Sequence, residues 1–192
     1  MIPLTMEGKT MINKKTLIFL ATILIAGAYK AAQADQSQPL ALGPLEVLPS
    51  GNGMLMIGVG GFDALWPRDS VGNGTSALLN VEYRFGKKLF YLGLVTGVLV
   101  NSDSGGFVYV GNYVDIRYKK FIATPLLSVG AYSQGAGPDL GGTLEFRSSI
   151  TFAYELEDKS RIGVGIAHIS NASIHDENPG ENEILVSYSF HF

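Results

Sequence analysis

Side chains able to do chemistry are sparse in this chain and gather towards its C-terminal end. His168-Ile169-Ser170-Asn171-Ala172 is followed by Asn178-Pro179-Gly180 and then by Glu181-Asn182-Glu183. A serine hydroxyl is a weak nucleophile until a neighbouring imidazole takes its proton. His168 and Ser170, two residues apart, form a candidate base and nucleophile if both leave the same face of an extended strand. The spacing equally suits two polar residues of a membrane headgroup belt, and Asn171 with Asn178-Pro179-Gly180 reads by itself as turn chemistry. A metal centre finds no support, because His168, His175 and His191 share no recognisable ligand spacing with carboxylates. The chain has no cysteine, so neither a disulfide framework nor a thiolate zinc site is available, and no cofactor is expected.

The elements that must position these residues are strands. From Met54 to Phe192 the sequence divides into eight runs rich in Val, Ile, Leu, Phe, Tyr and Gly, at roughly 54–64, 75–85, 89–101, 107–117, 121–133, 143–155, 161–172 and 182–192. Runs of about 10 tilted residues cross a hydrocarbon layer, and eight is an allowed number for a closed outer-membrane barrel. Short charged connections at Gly86-Lys87-Lys88, Tyr118-Lys119-Lys120 and Leu156 to Ser160 alternate with longer ones at Leu65 to Gly74, Gln134 to Gly142 and Ser173 to Glu181. This is the periplasmic and extracellular asymmetry of such barrels. The fold class expected is therefore all-β, an eight-stranded antiparallel transmembrane β-barrel.

Residue parity sharpens this reading. In the second run Ala77, Leu79, Val81, Tyr83 and Phe85 alternate with Ser76, Leu78, Asn80, Glu82 and Arg84; the sixth alternates in the same way. Glu82, Arg84, Asp115, Arg117, Glu145 and Arg147 are thus free to pair inside the barrel. On the seventh run Ile162, Val164 and Ile166 must face lipid, and the same parity carries His168 and Ser170 to the lipid side at the extracellular end. Polar groups facing acyl chains are costly unless they bond each other or a ligand. Pro125 removes a ladder donor inside the fifth run, where it is not expected.

The N-terminus reads as an address. Lys14 and Lys15 precede the apolar run Leu17 to Ala28, and Ala32-Gln33-Ala34 supplies the small residues of a cleavage site, which marks 1–34 as a signal peptide. Met11 begins a better signal, so 1–10 reads as a mis-assigned start. Residues 35–53, with Pro39, Pro44 and Pro49, form a tail or partial plug, and 54–192 form the barrel. Without residues 1–34 the 14 basic and 17 acidic residues fall to 10 and 16, a net of −6, which argues against nucleic acid. The final aromatic, Phe192, resembles the C-terminal signal read by the outer-membrane assembly machinery.

The His-x-Ser-Asn-Ala and Asn-Pro-Gly pattern, followed by a last strand ending in Phe192, resembles the lipid A 3-O-deacylase family of outer-membrane barrels. That resemblance implies a hydrolase of the ester-linked acyl chain at the 3-position of lipid A, acting on lipopolysaccharide in the outer leaflet from the outer wall of the barrel. It implies Ser170 as nucleophile, His168 as base and Asn171 as a contributor to the oxyanion hole, with Asn178 and Gly180 in support. The family carries a glutamate two residues after the glycine of its turn, where this chain has Asn182. Parity favours Asn182 as the group that orients His168. Glu183 is the alternative if a β-bulge re-aims it. The competing expectation is a non-catalytic structural or adhesive barrel on the same scaffold.

Overall fold

A computed structural model describes residues 37–65 and 75–192. The expected signal peptide, its Met11 start and most of the 65–74 loop lie outside the described residues. Among the described residues, eleven strands form one antiparallel sheet: β1 (Leu40–Leu42), β2 (Leu45–Val47), β3 (Met54–Phe62), β4 (Ser76–Leu89), β5 (Leu92–Asn101), β6 (Gly106–Tyr113), β7 (Ile116–Tyr118), β8 (Phe121–Ser133), β9 (Leu144–Glu155), β10 (Arg161–Ser170) and β11 (Glu181–His191). β6 and β7 are two halves of one stave, both paired with β8. β11 closes on β3, and β8 pairs with β9. The wall is therefore an eight-stranded closed barrel in which each backbone ladder finds its partner, as a hydrocarbon surround demands.

Three local features add to or correct the reading of the sequence. β4 runs through Gly86-Lys87-Lys88 to Leu89 with a bulge between Arg84 and Lys88, and the hairpin closes instead at Phe90-Tyr91. Both turn residues are left-handed, at φ 50° and 66°, a conformation that normally favours Asn or Gly. Docking of the preceding segment explains the shift. The Tyr91 hydroxyl donates to the Gln38 carbonyl at 3.0 Å, and the Gly51 N–H donates to the Gly86 carbonyl at 2.9 Å. A Cβ at Gly86 would lie 2.1 Å from the Gly51 oxygen, so the bulge needs glycine. Second, residues 40–47 form a hairpin whose second strand adds to β7, where Arg117 pairs with Glu46. Third, Pro125 does lie within β8, but it faces outward beside the interruption at Val114 and Asp115, where the neighbouring ladder is already open.

An eight-stranded barrel is just wide enough for side chains to fill. At the long-loop end Phe62, Leu78, Leu99, Phe107, Leu140 and Ile169 form one buried cluster with Tyr109 and Tyr132, alongside the buried carboxylates of Glu145 and Glu181. Beneath it lies an ionic layer. Glu82 pairs with Arg84 at 2.7 Å and accepts from the Tyr109 hydroxyl at 2.8 Å, and the Arg147 guanidinium sits over the Tyr109 ring. Arg147 does not pair with Glu145, its neighbour on β9. It grips Glu183 of β11 with Nε and Nη2, the shortest contact being 2.7 Å. Asp115 is held by Arg161 at 3.1 Å and Lys88 at 3.2 Å.

The Arg147–Glu183 pair passes under the small Ala167 of β10, whose cross-strand partners are Ser149 and Glu183. With both side chains almost wholly buried, removing one leaves an uncompensated charge. Arg147→Met should therefore cost about 3–5 kcal/mol in urea unfolding from detergent micelles, whereas Arg147→Met combined with Glu183→Leu should recover most of that loss. Equal destabilisation by the single and double variants would show that the pair does not hold the barrel in this way.

Candidate active site

β10 carries the candidate residues because its inner parity is small and its outer parity is large. Gly163, Gly165 and Ala167 turn inward while Ile162, Val164 and Ile166 are exposed on the outer wall. The alternation continues to His168, which is exposed outside, and Ser170, which is half-buried at the end of the strand. Ile169 between them is fully buried in the apolar cluster, so the backbone behind the two side chains is fixed from within. His168 is the cross-strand partner of Asn182 on β11 and of Ser148 on β9. One row below come Ile166, Ile184 and Ile150, and further down Tyr188 and Tyr154. Six residues of tilted strand separate the polar row from the two tyrosines, about 15 Å along the barrel axis.

The imidazole is oriented. His168 Nδ1 lies 3.0 Å from Asn182 Oδ1, and Asn182 Nδ2 donates to the Leu65 carbonyl at 3.2 Å. Because the Leu65 oxygen only accepts, it must take the NH2 side of the amide, which turns Oδ1 towards the ring. Nδ1 then carries the proton and Nε2 presents its lone pair, the form a general base requires. The Ala64 N–H donates to the Asn182 carbonyl at 3.1 Å, tying the loop after β3 to the same residue. Glu183, the alternative orienting residue, is turned into the barrel on Arg147, and the β10–β11 register runs through Glu181, Asn182 and Glu183 without a bulge. No re-aiming brings its carboxylate to the imidazole.

The turn after β10 is built around the ring. Gly180 has φ 62°, and a Cβ there would fall 2.7 Å from His168 Cε1 and 3.0 Å from the Ile169 carbonyl, so only glycine fits against this histidine. Asn171 is fully buried, with Nδ2 donating to the Leu140 carbonyl at 2.9 Å and the Glu177 carbonyl at 2.7 Å. Its backbone N–H donates to Asn178 Oδ1 at 3.0 Å. The donors of Asn171 are thus already engaged, and its side chain joins two loops. Asn178 is exposed, and its accepting Oδ1 leaves the amide NH2 for a ligand.

Beside His168 the outer wall carries an apolar groove of about 470 Å³, lined by Leu65, Pro125, Leu127, Ile150 and Ile166, with Ser148 and Asn182 at its polar end. Neither Leu65 nor Ser148 stood out in the sequence. The backbone carbonyl of Leu65 has no sequence signature, and Ser148 shows only as a gap in the outer parity of β9, Leu144, Phe146, Ile150, Phe152 and Tyr154. Among the described residues no group of three or more His, Asp or Glu side chains is arranged to hold a metal ion.

The geometry makes a prediction that is independent of activity. In 15N spectra of the protein in micelles, His168 should show the Nδ1–H tautomer as its main neutral form. Asn182→Ala should move its shifts towards those of a free imidazole. An unchanged tautomer in Asn182→Ala would mean that the amide does not hold the ring.

Comparison with known proteins places this geometry in context. A family model described as lipid A 3-O-deacylase (PagL) matches residues 52–191. A crystal structure of the outer membrane enzyme PagL superposes with a TM-score of 0.56 at 16% identity, covering 72% of this chain and 99% of that one. Neisserial surface protein A gives 0.48 at 12% identity, covering 74% of this chain and 98% of its own. No curated protein matches the chain.

Proposed function

The chain belongs to the lipid A 3-O-deacylase (PagL) family and is an outer-membrane β-barrel, and from that premise we propose that it hydrolyses the ester-linked 3-O acyl chain of lipid A with Ser170 as nucleophile and His168 as base. The observation that carries the reading is the oriented imidazole on the lipid-facing wall, bonded through Nδ1 to Asn182 and standing at the end of an apolar groove. A soluble substrate would not reach such a site. A lipid of the outer leaflet lies against it.

In this reading the acyl chain occupies the groove and the ester carbonyl meets Ser170. His168 Nε2 accepts the hydroxyl proton as Oγ bonds to the carbonyl carbon, and the resulting imidazolium returns that proton to the departing 3-oxygen of the sugar. Water, deprotonated by the same nitrogen, then releases the fatty acid from Ser170. Asn182 holds the tautomer as an amide. It lacks the charge a glutamate would bring to the imidazolium, so the chemistry runs on orientation with weaker electrostatic support. The exposed NH2 of Asn178 is the donor best placed to meet the oxyanion, with Asn171 and Gly180 fixing the turn that presents it.

Mixing the purified protein with lipopolysaccharide in detergent and following lipid A by mass spectrometry tests the proposal. The expected result is loss of one 3-O acyl chain, with Ser170→Ala and His168→Asn each at least about 1,000-fold slower and still folded. Deacylation by Ser170→Ala near the native rate would remove Ser170 as nucleophile. Intact lipid A under native conditions would favour a structural or adhesive barrel.

A further inference from the structure

Ser148 faces lipid in the polar row on the other side of His168 from Asn182, and its position is hard to explain by the fold alone. It pairs across the ladder with His168 on β10 and Leu127 on β8, is exposed, and lines the groove at the imidazole. Two other outward polar side chains show what the wall does with such groups. Thr96 Oγ1 donates to the Tyr109 carbonyl at 2.9 Å, and Asn112 Nδ2 turns to the Gly93 carbonyl at 3.4 Å. The Ser148 hydroxyl makes no hydrogen bond of this kind among the described residues. In hydrocarbon an unmet hydroxyl is costly, so a partner is to be sought on the lipid side.

We infer that Ser148 is a specificity-determining substrate contact, whose hydroxyl recognises a hydroxyl group carried by the acyl chain close to its ester carbonyl. This rests on the ester-hydrolase reading and adds to it a selection among acyl chains. Ser148 lies one strand over and one row below Ser170, about 8 Å away between Cα atoms by strand geometry. With the carbonyl carbon at Ser170 and the chain running down the groove, a hydroxyl two carbons from the carbonyl comes within one hydrogen bond of Ser148. A plain chain would leave the serine unmet at that point. Sites built to bond a substrate hydroxyl reject the analogue that lacks it.

The test uses the full mature protein in mixed micelles with two lipid A substrates that differ only in the presence or absence of that hydroxyl on the 3-O acyl chain. The native protein should prefer the hydroxylated ester by tenfold or more in kcat/KM. Ser148→Ala, which keeps the groove open, should bring the ratio close to one by slowing the hydroxylated ester alone, and Ser148→Thr should retain the preference. A preference that survives Ser148→Ala, or equal rates for both esters in the native protein, overturns the inference while leaving the hydrolase reading intact. Hydrolysis of neither ester overturns both. A Ser148→Ala protein that loses the heat-dependent gel shift of a folded barrel would assign the residue to the fold and overturn the inference too.

Discussion

Arg147 and Glu183 meet beneath β10, and the order of the outer wall follows from that one contact. Arg147 belongs to β9 and Glu183 to β11, so the ion pair spans the inner face of the strand between them. Each of the two residues is followed or preceded in sequence by a member of the outer polar row: Ser148 after Arg147, and Asn182 before Glu183. Because side chains alternate strictly, fixing the two charges inside fixes Ser148 and Asn182 outside on either side of His168. A slip of one residue on β9 or β11 would expose a charge to lipid and bury the polar row. Buried ion pairs are weak evidence for stability in general, and setting register is their best-attested use.

The same barrel divides its interior by chemistry. An apolar cluster, flanked by the buried carboxylates of Glu145 and Glu181, stands behind Ile169 at the upper end of β10, and the Arg147–Glu183 layer lies below it. Both pack against the inner face of the strand that carries His168 and Ser170. In the connections the chain uses side-chain clamps: the Asn171 amide on two carbonyls, Asn178 on the Asn171 N–H, and Gly180 pressed against the imidazole. A wall with a clamped rim suits a site that must present polar groups to a membrane.

Asn182 shows how a departure from a family pattern is accommodated. Aspartate, the carboxylate of the same shape, would place an oxygen against the Leu65 carbonyl, where the asparagine NH2 now donates. The amide is therefore matched on both sides, to a carbonyl by its nitrogen and to the imidazole by its oxygen. Orientation is kept, and the electrostatic contribution of a full charge is given up.

The period-2 alternation of the sequence was enough to determine the closed eight-stranded barrel, and the exposure of Ile162, Val164, Ile166 and His168 on one face. In lipid that pattern admits one solution, with apolar residues out and charges in. Parity also separated Asn182 from Glu183 before any contact was known. Pairings at long separation were decided by the tertiary structure alone. Arg147 chose Glu183 over the nearby Glu145, the β4–β5 hairpin closed at Phe90-Tyr91, where the 37–53 segment docks, and the Leu65 carbonyl fixed the asparagine amide. Alternation reports which face a side chain leaves from. Which partner it finds depends on strand register and on backbone groups that carry no side-chain signature, and those exist only once the barrel has closed.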